Sequence, residues 1–177
     1  MNALPTVPTF EIRPAQREDV GAVHAMIRAL AEYERLAHLC IASEADLDAA
    51  LFGARPAAEV LIAWKGADPA AFALFFHNFS TFLGRPGLWL EDLFVRPEYR
   101  RQGCAQALLR SLAALAVARG CGRFEWAVLD WNAPAIAFYE ALGASVLADW
   151  RIVRIVGPAL ASLASDRPPD RTGAVPA

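Results

Sequence analysis

"LWLEDLFVRPEYRRQGCAQALLRSLAALAVARG", residues 88–120, is the stretch whose reading decides the fold. Its first eight residues are apolar except for two adjacent carboxylates, Glu91 and Asp92, and read as a central strand buried on both faces. Ala105, Leu108, Leu109, Leu112, Leu115 and Ala116 then recur at three- and four-residue spacings, the stripe of an amphipathic helix that stops at Gly120. Between strand and helix stand Arg96, Arg100, Arg101 and Gly103, in a chain whose only lysine is Lys65 and whose net charge is -2.

A helix N-terminus offers unpaired N–H groups and the positive end of the dipole, so an anion is stabilised there without any special side chain. Arg100 and Arg101 add full charges, Gly103 lets backbone come close to a ligand, and Ala105 keeps the first turn small. The loop Arg101, Gln102, Gly103, Cys104, Ala105, Gln106, with Arg100 leading in, is therefore a candidate pyrophosphate cradle. It lacks both the glycine-lysine phosphate loop and GxGxxG, which disfavours a nucleoside triphosphate or a dinucleotide. The same residues also suit a solvated basic turn capping a core helix.

Outward from this unit the pattern is mixed α/β. "FEIRPA" at 10–15 alternates like a first strand, and Val20, Val23, Ile27, Leu30 and Ala31 mark one face of a helix. Ser43 and Asp46 form a capping pattern closed by Gly53. "AEVLIAWKG" and "AAFALFFHNFS" read as a hairpin around the turn at 66–69, and a second turn is expected at 84–87. Strand "RFEWAVLD", helix "NAPAIAFYEALG" and a last strand "WRIVRIV" follow.

The chain has 177 residues, which suits one domain with a substantial core. The expected organisation is a flexible N-terminus at 1–8, a single domain at 9–164 and a disordered, proline-rich and charged tail at 165–177. Hydrophobic residues make up 56%, yet no apolar run reaches the roughly 20 residues of a spanning helix. No secretory pattern is visible, so a cytoplasmic location is expected, without membrane or nucleic-acid partners. Cys40, Cys104 and Cys121 show no metal or disulfide spacing, and His24, His38 and His77 are scattered, so no metal is expected.

Two motifs carry a family resemblance. "LEDLFVRPEYRRQGCAQALL" resembles the acetyl-CoA signature of the GNAT N-acetyltransferases, Gln/Arg-x-x-Gly-x-Gly/Ala, with Arg100, Gly103 and Ala105 at its defining positions. "DWNAPAIAFYEALGA" resembles the second signature, in which an asparagine is followed seven residues later by a tyrosine. From about Phe10 to Leu163 the chain is most similar to the spermidine/spermine (diamine) and thialysine branch.

The resemblance implies a mixed central sheet of about seven strands flanked by helices, with central strands splayed to bind CoA. It further implies that backbone of Leu93, Phe94 and Val95 pairs with the pantetheine arm, and that a backbone N–H near Phe94 meets the oxyanion. Asn132, Pro134 and Ala135 would face the cofactor from the other side, although Asn132 equally suits an N-cap. Related enzymes are commonly homodimers, with the last strand or terminal helix near the interface.

Acetyl transfer to an amine needs a base, since an alkylammonium has a pKa of about 10.4, and an acid for the departing thiolate. Glu91 is the expected base, made stronger by burial among Trp89, Leu90 and Leu93, or a substrate anchor. On a regular strand Asp92 points to the opposite face, as a structural or substrate-side carboxylate. Tyr139 is the expected general acid, and the resemblance adds Trp150 on the substrate side. Cys104 beside two arginines invites a covalent route, whereas the resemblance implies direct transfer in a ternary complex.

Ala29 stands where the polyamine branch carries a glutamate, Ser80 replaces an aspartate, and Asp149 remains from an acidic pair. A second ammonium would lack partners, so a smaller amine or a thialysine-like amino acid is expected. The alternatives are acetylation of protein lysines or N-termini, and a CoA-binding sensor without catalysis.

Overall fold

The computed structural model describes residues 10–165. The expected flexible N-terminus at 1–8 and the expected tail beyond residue 165 lie outside the described residues. The chain divides into two compact units, Met1–Ala127 and Val128–Ala177.

In the first unit five strands form one sheet in the order β1-β2-β3-β4-β5, comprising Glu11–Pro14, Glu59–Lys65, Asp68–Ser80, Arg85–Val95 and Arg123–Trp126. Neighbours are antiparallel except β4 and β5, which are parallel and joined through a helix. The hairpin expected at 66–69 forms, with Lys65 opposite Asp68. The chain connects β1 to β2 through α1 (Val20–Tyr33) and α2 (Glu44–Phe52), and β4 to β5 through α3 (Cys104–Ala118).

The helical spacing read from the sequence is the spacing that is buried. Val23, Met26 and Leu30 of α1 close on Leu51, Val60, Ile62, Phe72 and Phe94 in one core cluster. Leu108, Leu109, Leu112 and Ala116 of α3 are buried outside that cluster, while α3 lies against the same strands β3 and β4. One helix therefore covers each face of the sheet, the usual solution for a sheet with two apolar faces.

Three expectations need correction. The turn at 84–87 lies earlier, at 81–84, and Arg85, Pro86 and Gly87 belong to β4. A Cβ on Gly87 would sit 2.2 Å from Asn78 Oδ1 and 3.1 Å from Arg123 Cγ, so this glycine serves a close approach of strands. β4 is also not buried on both faces: Gly87, Leu88, Leu90 and Phe94 are buried, Arg85 and Glu91 are exposed, and the others are half-buried.

The third correction concerns the strand count, which is five among the described residues rather than about seven. In the second unit, α4 (Ala133–Ala141) and α5 (Gly157–Ala164) carry no buried residue. "WRIVRIV", residues 150–156, has no regular structure, with Ile152, Val153, Ile155 and Val156 exposed. A strand needs a neighbour for its backbone groups, and no ladder partner exists for this segment among the described residues. Among the described residues no helix is long and apolar enough to cross a membrane.

Candidate active site

β4 has two edges of unequal length. It pairs with β3 from Arg85 to Val95, but with β5 only from Gly87 to Leu90. β5 ends at Trp126, opposite Leu90, so among the described residues the β5-side edge of residues 91–95 has no ladder partner. Arg96 N donates to Ala70 O at 3.0 Å, which fixes the alternation: Phe94 exchanges its backbone bonds with Phe72 of β3. Leu93 and Val95 direct theirs outward. Of the three residues expected to pair with pantetheine, Phe94 is thus committed to β3, and its N–H does not face the gap.

The same strand carries a bulge. Leu74 pairs with Asp92 and Phe75 with Leu90, leaving Glu91 as the extra residue. The bulge breaks the alternation on which the opposite-face reading of Asp92 depended. Asp92 lies across from Leu74, which packs on the α1 core together with Phe94, so its place is on the α1 side. Glu91 is exposed, and its Oε2 accepts a 2.9 Å hydrogen bond from Trp89 Nε1.

The burial expected at Glu91 falls instead on Asp92. Burial first, and then the charges of Glu91 and Glu34, push the Asp92 carboxyl up to about 6. Glu34 is raised above the ordinary carboxylate range by its own burial. It ends α1 because Leu36 N donates to Ala31 O and Arg35 N to Glu32 O, with Arg35 in the left-handed region at φ 63°. This is a Schellman stop with arginine where glycine is usual.

The basic loop is only partly free. Arg100 Nε donates to Val95 O at 3.1 Å, and its guanidinium lies 4.9 Å from the Tyr33 ring and 5.8 Å from the Phe94 ring. Gln102 accepts from Lys65 Nζ at 3.2 Å and donates to Glu98 O at 2.8 Å. Lys65, the only lysine, was not singled out by sequence reasoning, because nothing local links a hairpin turn to a loop 37 residues away. Arg101 is exposed at φ 61°.

Gly103 holds the N-cap of α3 at φ 82° without a side-chain cap. The first helical bond is Ala107 N to Gly103 O at 3.0 Å, so the N–H groups of Cys104, Ala105 and Gln106 precede any intrahelical partner. Cys104 itself is buried, and burial pushes its thiol up to about 11. The arginines do not activate it, and the covalent route loses its nucleophile.

In the second unit Asn132 stands at the N-cap of α4, where its backbone O accepts from Ala135 N and Ile136 N, both at 3.0 Å. Its side chain makes no capping bond. Asn132, Ala135, Ile136 and Tyr139 are half-buried along one stripe, whereas Pro134 is exposed. The Tyr139 ring is 5.4 Å from that of Phe138. Trp150 is exposed.

Two positions that depart from the polyamine pattern have structural work. Ala29 packs against the α1 core. Ser80 is buried, and its hydroxyl accepts from Leu83 N at 3.2 Å in the 81–84 turn. Among the described residues no group of three or more histidines, cysteines, aspartates or glutamates could hold a metal.

Residues 23–144 match the acetyltransferase (GNAT) family. The chain is 34% identical to an L-ornithine N5-acetyltransferase of Arabidopsis thaliana, covering 86% of each. It is 38% identical to a thialysine N-epsilon-acetyltransferase of Sus scrofa, covering 86% of this chain and 96% of that one. Among solved structures, an integron cassette protein from the mobile metagenome of V. cholerae superposes with a TM-score of 0.75 at 26% identity, over 88% of this chain and 97% of that one.

Proposed function

Since the chain belongs to the acetyltransferase (GNAT) family, we propose that it is a cytoplasmic enzyme that moves acetyl from acetyl-CoA to a primary amine of a small diamine or a thialysine-like amino acid. The reaction is direct attack in a ternary complex, within a single catalytic domain over residues 9–164. Relatives named for thialysine and L-ornithine support an acceptor bearing a side-chain amine. The polyamine end of that range is disfavoured by the structural duties of Ala29 and Ser80.

The observation that carries this reading is the open edge of β4 past Leu90, ahead of the uncapped N-terminus of α3. Outward backbone groups of Leu93 and Val95 suit an amide-bearing arm added like a strand. The N–H groups of Cys104, Ala105 and Gln106 suit a pyrophosphate, with Arg101 supplying charge and Gln102 holding the loop. Arg100 steadies the end of α1 against Phe94.

Glu91 and Asp92 supply the carboxylates that receive the amine. Tyr139 is assigned the protonation of the leaving thiolate, and Asn132 and Ala135 the cofactor contacts, on the strength of the family resemblance and their common stripe on α4. Trp150 is assigned to the substrate side on the resemblance alone. We further propose a homodimer, supported by the exposed apolar residues Ile152, Val153, Ile155 and Val156.

The test is incubation with acetyl-CoA and a panel of thialysine, L-ornithine, lysine, short diamines, polyamines and lysine peptides, with products identified by mass spectrometry. One acetyl gained on a small amine is the expected result. Acetylation confined to peptides would move the acceptor to protein, and CoA binding without any product would make the chain a sensor.

A further inference from the structure

Two adjacent carboxylates on β4 are treated unequally by the fold. Glu91 is the bulged residue, exposed, with one oxygen engaged by the indole of Trp89. Asp92 is half-buried on the α1 side, opposite Leu74 and two residues before Phe94. Two carboxylates act on it, Glu91 on its own strand and Glu34 at the end of α1, and the nearby Arg100 guanidinium lies over the Tyr33 and Phe94 rings and donates to Val95 O.

We propose that Asp92 is the catalytic residue that accepts the proton of the substrate ammonium, while Glu91, tethered by Trp89, holds the ammonium's charge. This division of labour rests on the acetyltransferase reading above. A carboxylate in solvent with a fixed donor is suited to hold a cation. A half-buried carboxylate beside a second acid gains more from taking up a proton, because neutralisation removes both a desolvation cost and a like-charge repulsion. The rise of the Asp92 carboxyl to about 6 accords with that arrangement.

The step balances as follows. An N–H bond of the ammonium breaks, its proton passes to a carboxylate oxygen of Asp92, and the freed lone pair forms the C–N bond to the thioester carbonyl carbon. As the tetrahedral adduct collapses, the C–S bond breaks, the nitrogen loses its second surplus proton, and the thiolate gains one. Asp92 then returns its proton to solvent, so each turnover releases one proton overall.

The experiment is a pH profile of kcat/KM for thialysine and L-ornithine at saturating acetyl-CoA, in the wild type, Asp92→Asn, Glu91→Gln and Glu34→Gln, with acetyl-CoA binding measured on each. The wild type should show an ascending limb near pH 6. Asp92→Asn should lose that limb and about 100-fold in kcat while binding acetyl-CoA normally. Glu91→Gln should keep a limb, displaced to lower pH because the nearest like charge beside Asp92 is gone, and raise KM for the amine. Glu34→Gln should move the limb to lower pH, since a like charge beside Asp92 is gone. A limb retained in Asp92→Asn, or lost in Glu91→Gln alone, overturns the assignment while leaving the acetyltransferase reading intact. Absence of any turnover in the wild type, across the acceptor panel, overturns both.

Discussion

Trp89 and Glu91, two residues apart on β4, are joined by a 2.9 Å hydrogen bond from the indole Nε1 to Oε2. Removing the donor tests what this tether does. Trp89→Phe keeps an aromatic ring, though a smaller one, and forfeits about 1 kcal/mol of hydrogen bonding. Steady-state kinetics should show KM for the amine rising about 3- to 10-fold with kcat within about twofold. A fall in kcat at constant KM would contradict the holding role of Glu91.

Asp92 should cost the fold stability. Its folded-state carboxyl is raised from 3.8 to about 6. Between those values the native state keeps a proton that the unfolded chain has lost, so stability declines as pH rises through that window. Above it, the ionised group costs up to about 3 kcal/mol. Urea midpoints should therefore place Asp92→Asn above the wild type at neutral pH, with the gap closing below about pH 4. A gap unchanged by pH would show that Asp92 is not the group being titrated.

Gly103 at φ 82° has no atom within 4 Å of where a Cβ would lie. The penalty of Gly103→Ala is therefore one of backbone conformation, about 1 kcal/mol of stability, together with a higher KM for acetyl-CoA. Arg101→Ala should raise KM for acetyl-CoA several-fold while leaving stability within about 0.5 kcal/mol. Denaturation and kinetics on the pair separate loop geometry from loop charge.

Arg35 occupies the left-handed turn that ends α1, at φ 63°. Arg35→Gly should stabilise the protein by about 0.5–1 kcal/mol, and Arg35→Val should destabilise it by at least as much. Chemical denaturation with an unchanged m-value checks both.

Tyr139→Phe should lower kcat on the order of 100-fold while acetyl-CoA affinity stays within about twofold, read by kinetics and direct binding. Equal kcat in variant and wild type would remove the general-acid assignment.

Much of the fold was legible because its signals are local and periodic. The α1 stripe, the α3 stripe from Leu108 to Ala116 and the hairpin at Lys65–Asp68 follow from spacing and turn chemistry. The misreadings have a shared cause. Gly87 resembles a turn glycine, and only the approach of Asn78 and Arg123 from other segments reveals why it is glycine. "WRIVRIV" has strand composition, but a strand exists only with a partner, which composition does not supply.

At the site the division is sharper. The motif Arg100 to Ala105, placed before an apolar helix, offers a candidate anion-binding helix terminus from residue type and order, and equally suits a solvated basic turn. The sequence by itself also determined that two carboxylates stand side by side on the strand leading into it. Which of them is buried was decided by the tertiary structure, because the bulge at Glu91 is a matter of register between β4 and β3. The same holds for Lys65 reaching Gln102 and for Glu34 acting on Asp92. Electrostatics depends on distance through space and on access to water, and neither is a property of neighbours along the chain.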